Sequence, residues 1–257
     1  MKKRTLIAST ALLLVAIMCL ATASYAWFIA GSDAKATGLS ITTTTGTNLV
    51  IRGNSDPSGQ YGNVGTHNVS ATLAPATSSD ATAFAKLKDD VVIPDAGNYA
   101  AADFTAASLE DATNTGNAGD PVYFVTGSYS LKNIGSDAVA VKVSNIEVTG
   151  VDAAIKPAIR VAIKAGSTTK IFKPFSSTPI NQVGSKSGTA WTLVDPNYAT
   201  VNGTDSVVIA SLGAGDTNAT AVDIVVWFEG QDSACTTTNA NALANQNLGI
   251  NVVFVEA

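Results

Sequence analysis

Short runs in which apolar and polar residues alternate are the feature that most limits what this chain can fold into. Residues 138–149 (AVAVKVSNIEVT) and 158–165 (AIRVAIKA) follow this two-residue period. Such a period places alternate side chains on opposite faces of a β-strand, whereas a helix needs apolar residues three and four positions apart. Turn-forming Gly, Asn, Asp and Ser separate the runs, so the pattern predicts nine or ten short strands.

Strands of this number and length, joined by turns, are typical of an all-β protein. We expect a single jelly-roll-like β-sandwich over residues 37–257, preceded by an extended N-terminal strand. Residues 221–228 (AVDIVVWF) are apolar on both faces, which predicts a central strand of one sheet.

The run at 138–149 also predicts a local irregularity. Val141 and Val143 share one face of an ideal strand, whereas Ile146 and Val148 share the other. A β-bulge near Ser144 would bring all four side chains to the same face.

Residues 80–118 differ from the rest because two of their runs, DATAFAKLKDD and NYAAADFTAASLEDA, carry Ala, Lys, Leu and Glu. Phe84 and Leu87, and later Phe104 and Leu109, would give short helices one apolar side. We therefore predict a short helical insertion around residues 80–118.

The N-terminal segment has the layout of a secretory signal peptide. A basic head at residues 2–4 precedes an apolar run at 6–20, which is shorter than the roughly 20 residues that span a bilayer. Small residues flank a signal-peptidase cleavage site after Ala26, so we expect cleavage between Ala26 and Trp27 and removal of residues 1–26. We expect the chain to contact the membrane only transiently, during export. The alternative is an uncleaved signal anchor.

Composition narrows the choice of partners. Loss of residues 1–26 would remove three basic residues and no acidic one, leaving 12 basic against 20 acidic side chains and a net charge of −8. An acidic chain is a poor partner for nucleic acid or an anionic membrane surface, and we expect neither. The remaining Cys235 has no intrachain partner, so it is either a buried small hydrophobe or half of an intermolecular bond.

The sequence carries few signs of catalysis. His67 is the only histidine, so the H-E-x-x-H zinc motif cannot form and a Ser-His-Asp set would depend on this residue alone. Phosphate-binding glycine loops and the G-x-S-x-G motif do not occur. We expect that the chain is not an enzyme and needs no cofactor.

One stretch imitates a calcium loop. Asn54, Asp56 and Ser58, followed by Gly59, match the first half of an EF-hand, but Gly65 stands where the bidentate Glu is required. We expect a turn here, with calcium binding as the alternative. Separately, Asn68, Asn202 and Asn218 begin N-x-S/T triplets and are candidate glycosylation acceptors.

Several stretches resemble the TasA and camelysin-like group of secreted Gram-positive proteins. They are SYAWF at the cleavage site, LKNIGS at 131–136, IRVAI at 159–163 and VWFEGQDSAC at 226–235. The last contains a W-x-E-G-x-D-x-x-C run formed by Trp227, Glu229, Gly230, Asp232 and Cys235. The resemblance implies a jelly-roll subunit of extracellular fibres in the biofilm matrix, which joins its neighbours by donating an N-terminal strand after a dedicated signal peptidase removes the leader.

Residues 27–36 (WFIAGSDAKA) suit such a donor strand and tether. Trp27, Phe28 and Ile29 would be large apolar anchors at a free terminus, and their exposure would favour association. A head-to-tail contact that does not close produces a homopolymeric filament, to which other matrix proteins could be added. The alternative is a first strand that packs within its own sheet.

Two other functions remain open from the sequence. Members of the resembling group are described as surface metalloproteases, although a single histidine leaves zinc without its usual ligands. A monomeric cell-surface adhesion or binding module is the other alternative, with Trp191 and Tyr198 as stacking residues.

Overall fold

The computed structural model describes residues 35–44, 48–53, 60–67, 73–88, 105–114, 122–175, 182–215, 219–243 and 246–257. These residues are mostly in β-strands, which confirms the all-β prediction. The strands are β1 (Lys35–Thr43), β2 (Leu49–Gly53), β3 (Val64–His67), β4 (Pro75–Ala76), β5 (Ala85–Leu87), β6 (Leu109–Asp111), β7 (Val125–Asn133), β8 (Val139–Thr149), β9 (Ile159–Ala165), β10 (Thr168–Phe172), β11 (Val183–Ser187), β12 (Ala190–Val194), β13 (Val207–Leu212), β14 (Ala219–Glu229) and β15 (Asn247–Glu256).

Two sheets make up a β-sandwich. The five-stranded sheet has the order β13-β8-β15-β1-β3, and the six-stranded sheet has the order β10-β9-β14-β7-β2 with β4 beside the end of β14. Most neighbouring strands are antiparallel, but β1 runs parallel to β15, and β4 runs parallel to β14. The first and last described strands are therefore hydrogen-bonded to each other inside the five-stranded sheet.

The main core lies between these two sheets. Ile41 and Val252 from one sheet join the same buried cluster as Ile224 and Val226 from the other. Full burial of one such side chain stabilises a fold by about 1.5–3 kcal/mol. The buried Tyr129 of β7 also links the sheets, because its hydroxyl donates a hydrogen bond to the carbonyl of Leu39, 2.8 Å away.

The predicted bulge in β8 is confirmed. On β15, Val253 pairs with Asn145 and the next residue, Phe254, pairs with Val143, so Ser144 is the extra residue. Val141, Val143, Ile146 and Val148 are consequently all buried.

Strand β14 is central, as predicted from its apolar residues, because β9 and β7 flank it on its two sides. One of its faces contributes to the main core. The other packs against a second cluster, in which the ring of Phe84 stacks on Phe124 at 4.1 Å and meets Trp227 edge-on at 5.5 Å. The six-stranded sheet therefore has apolar contacts on both faces.

The described parts of residues 80–118 contain strands where short helices were predicted, and residues 89–104 and 115–118 lie outside the described residues. In the described parts of residues 80–118, β5 pairs with β6, and the helical content is a single 3-10 turn at Ala106–Ser108. Leu87 and Leu109 are register partners in this pair, and Ala85 bridges to Thr77. Helix propensity is a weak preference that these pairings override. Among the described residues, a short α-helix lies at Thr237–Leu243.

Candidate functional site

The residues of the W-x-E-G-x-D-x-x-C run lie at the end of β14 and in the loop that follows it. Trp227, Glu229, Asp232 and Cys235 have no solvent exposure. The loop is held close to the sheet, since the amide of Gly230 donates to the carbonyl of Ala76 at 2.8 Å. A motif noticed for its resemblance is thus part of the protein interior.

Arg160 is the cation of this site, and it was not singled out from the sequence. Its Nη2 lies 2.5 Å from Oδ2 of Asp232, and both side chains are fully buried. Its Nη1 donates to the carbonyls of Pro157 at 2.6 Å and Ile159 at 3.1 Å, and its Nε donates to the hydroxyl of Tyr198 at 3.0 Å. The guanidinium is therefore held on three sides.

Glu229 is a second buried carboxyl beside this pair. Its Oε2 accepts a hydrogen bond from Nε1 of Trp227 at 2.9 Å, and its Oε1 accepts one from the amide of Gln231 at 3.2 Å. Burial raises the pKa of Glu229, and the nearby Arg160 and the Trp227 hydrogen bond oppose this rise only in part. We call Arg160, Asp232, Glu229, Trp227 and Tyr198 the buried ionic cluster.

Arg160 and Tyr198 respond to the same surroundings. Burial alone would lower the pKa of Arg160, but Tyr198, Glu229 and Asp232 outweigh it, and the pKa is raised. Burial raises the pKa of Tyr198 to about 12, although Arg160 acts in the opposite direction. Arg160 is thus a permanent charge, and Tyr198 is a neutral acceptor for it.

The buried ionic cluster is suited to holding the fold together. An ion removed from water costs several kcal/mol, and a partner with well-placed hydrogen bonds offsets that cost. Here the bonds join the start of β9, the end of β14 and the segment around Tyr198, so they fix three elements at one end of the sandwich.

The polar contacts extend from this cluster to the segments that cover the six-stranded sheet. The side-chain amide of Gln231 lies 3.5 Å from the hydroxyl of Thr77, which also accepts a hydrogen bond from the amide of Gly184 at 2.8 Å.

The sequence did carry a signal for the cluster, because Arg160 interrupts an apolar strand and a charge in such a place needs a partner.

Cys235 is buried in the main core, and burial raises the pKa of its thiol well above the usual value. The buried alternative therefore agrees with the structure. A disulfide to another chain would require the thiol to leave this position.

The predicted donor segment meets the described structure at its end. Lys35 and Ala36, its last two residues, are the first residues of β1 and pair with Asn247 and Leu248. The segment that precedes the domain thus ends at residue 34. The anchors Trp27, Phe28 and Ile29 and the cleavage residue Ala26 lie outside the described residues.

The calcium candidates Asn54, Asp56 and Ser58 also lie outside the described residues, as do Asn68 and Asn218. Asn202 is exposed in a turn with a φ of 60°. His67 is in β3, where its backbone pairs with Leu39. Within the parts of the chain that the structure describes, no three His, Cys, Asp or Glu residues are grouped so that they could hold a metal ion.

The two proposed stacking residues have structural contacts. Trp191 is 9% exposed, and its Nε1 donates to Asp111 at 3.1 Å. Tyr198 is half-buried and bound to Arg160. Neither ring is presented to solvent as a free stacking platform.

The chain matches no model of a known protein family, no curated protein and no solved structure. Among the helices of the described residues, none is long and apolar enough to cross a membrane.

Proposed function

We propose that this chain is a secreted structural subunit that polymerises into extracellular filaments of a biofilm matrix or cell surface. Each subunit donates its N-terminal segment, residues 27–34, to the next subunit, which binds Trp27, Phe28 and Ile29. The product is a homopolymer that grows head to tail.

The observation that carries this proposal is the position of β1. This strand begins at Lys35 and pairs with β15 from its start, and from Leu39 to Thr42 it is an inner strand between β15 and β3. Its start has a place in its own domain, and the apolar anchors lie six to eight residues further upstream in the sequence. Eight extended residues reach roughly 26–29 Å, which is enough to bring the anchors to a neighbouring molecule.

The sandwich also offers strand edges that an extended segment can join. In the described residues the five-stranded sheet ends at β13, which pairs with β8 on one side. Backbone groups along such an edge are a template for another chain, and side-chain pockets add affinity for anchors such as Trp and Phe.

Electron microscopy of a deletion variant tests the proposal. Removal of residues 27–32 from the leader-free chain should leave a folded chain that forms no filaments, because β1 and both sheets are retained. Circular dichroism and thermal melting would verify the fold. Filaments that form without these residues would show that the donor assignment is wrong.

A variant with three substitutions serves as the matched test. Replacement of Trp27, Phe28 and Ile29 by serine keeps the tether length and should also abolish filaments. Changes of similar number in the polar tether, Ser32→Gly with Asp33→Asn, should leave filaments intact, because the tether supplies length and not anchoring contacts.

A further inference from the structure

Among the residues whose side chains are described, the outward face of the five-stranded sheet carries few charges. Strand register places Val64, Thr42, Val253 and Asn145 side by side across four strands, and all of them point away from the core. Val64 is 55% exposed, which is unusual for a valine in this protein. We call this surface the neutral face.

Two opposite charges on β8, at one side of this face, lie at equal distances from the Asn145–Val253 pair. Lys142 and Glu147 lie on β8 with outward side chains, and neither forms an ion pair with another described residue. Their register partners on β15 are Val255 and Asn251, so Val253 and its partner Asn145 mark the midpoint between the two charges.

This arrangement is complementary to itself. We infer that the neutral face binds the neutral face of a second copy of this chain. The two copies are related by a two-fold axis that lies between their neutral faces, at the level of the Asn145–Val253 pair. An axis perpendicular to the strands places Lys142 opposite Glu147 of the copy, and Glu147 opposite its Lys142. Isologous contacts of this kind are the commonest in homo-oligomers.

Electrostatic repulsion between two copies is weaker at the neutral face than elsewhere on the surface. With residues 1–26 removed, the chain has 12 basic and 20 acidic side chains and a net charge of −8, so two copies repel each other at most orientations. On the neutral face the charges of Lys142 and Glu147 cancel, and the symmetric contact converts them into two attractive pairs.

The geometry allows the contact. The register partners of Lys142 and Glu147 are four positions apart on β15, so each of the two charges lies about 7 Å from the axis along the strand. Aligned sheets cross at about 30°, which displaces each charge sideways by roughly 3–4 Å, within the reach of a lysine side chain. Four strands at a spacing of about 4.8 Å give a patch roughly 20 Å wide, so we expect a weak contact between two single copies. The contact becomes effective when many subunits in two filaments repeat it.

Charge reversal with rescue tests the inference, and the deletion of residues 27–32 separates it from the donor-strand proposal. Glu147→Lys or Lys142→Glu alone should weaken association about tenfold or more, because both symmetric contacts become repulsive. The double variant Lys142→Glu/Glu147→Lys should restore it. Association is measured by sedimentation velocity over a concentration series, and side-by-side contact of filaments by electron microscopy.

Asp195→Lys is the matched control, because it makes the same change in net charge at an exposed position outside the five-stranded sheet. It should leave association unchanged. The inference is wrong if the wild-type chain neither dimerises nor aligns its filaments, if a single reversal associates like the wild type, if the double variant fails to recover, or if Asp195→Lys has the same effect as Glu147→Lys. Dimers that persist in the 27–32 deletion would support the neutral face whatever the fate of the filaments.

Discussion

At the scale of single residues, the burial of Arg160 gives a physical reason for the residues that surround it. A guanidinium without water needs a carboxylate and several carbonyl or hydroxyl acceptors, and Asp232, Pro157 and Tyr198 provide them. The sequence identified Asp232 and Glu229 through a resemblance, but it did not pair them with Arg160. That pairing depends on contacts across 72 residues of chain, which no local pattern encodes.

Removal of one member of the Arg160–Asp232 pair should therefore be costly. We expect Asp232→Ala to lower the free energy of unfolding by about 3–5 kcal/mol, because Arg160 would remain buried without its counter-ion. Urea denaturation would measure the change. Glu110→Gln is the control, since it breaks the more exposed ion pair with Lys86 and should cost less than about 1 kcal/mol. Equal losses in the two variants would contradict this account of the site.

Glu229 should make stability depend on pH. The pKa of Glu229 is higher in the folded state than the ordinary 4.5, so the protonated side chain contributes to stability below pH 4.5. This contribution is lost as the pH rises through the pKa of the folded state. Glu229→Gln cannot ionise. Its stability relative to the wild type should therefore increase as the pH rises above about 4.5, as measured by urea unfolding. The exposed Asp195→Asn controls for the loss of one charge. A difference that stays constant or falls with pH would argue against the assignment.

At the scale of elements, alternation and β-branching were sufficient to find β8, β9, β14 and β15, and the bulge at Ser144 followed from a change of face within one strand. The segment 80–118 was harder to predict. Its Ala- and Lys-containing runs have helical propensity, but Ala85 and Leu109 form strand pairs whose partners are distant in sequence. Strand β11 (VGSKS) was missed because its residue types are typical of turns.

Two glycines at strand ends provide a test of local backbone geometry. Gly150 follows β8 with a φ of 75°, and a Cβ there would lie 1.8 Å from the carbonyl oxygen of Asn247. Gly166, between β9 and β10, has a φ of 58° but open space around it. Gly166→Ala should cost about 1–2 kcal/mol for the left-handed backbone.

Gly150→Ala should cost about 1–3 kcal/mol more than Gly166→Ala, because the methyl group must also displace β15. Thermal and urea unfolding of the two variants would measure the difference. If Gly166→Ala proves as harmful as Gly150→Ala, the close approach of Asn247 is not the cause.

At the scale of the whole molecule, composition and strand count predicted the two-sheet sandwich, because few other folds bury many short amphipathic strands. How the subunits join is a property of more than one chain. The inner position of β1 and the apolar residues upstream of it support the proposed contact in trans, and the inferred contact of the neutral face would be a second, lateral one. Together these two proposals describe a filament that grows in one direction and associates sideways.

The central claim is that residues 27–34 of one subunit bind the folded domain of another. Titration calorimetry tests it directly, with a synthetic peptide of residues 27–34 added to the chain that lacks residues 27–32. We predict saturable binding with one peptide per chain, and none with a peptide in which serine replaces Trp27, Phe28 and Ile29. Absence of binding, or equal binding of the two peptides, would contradict the claim.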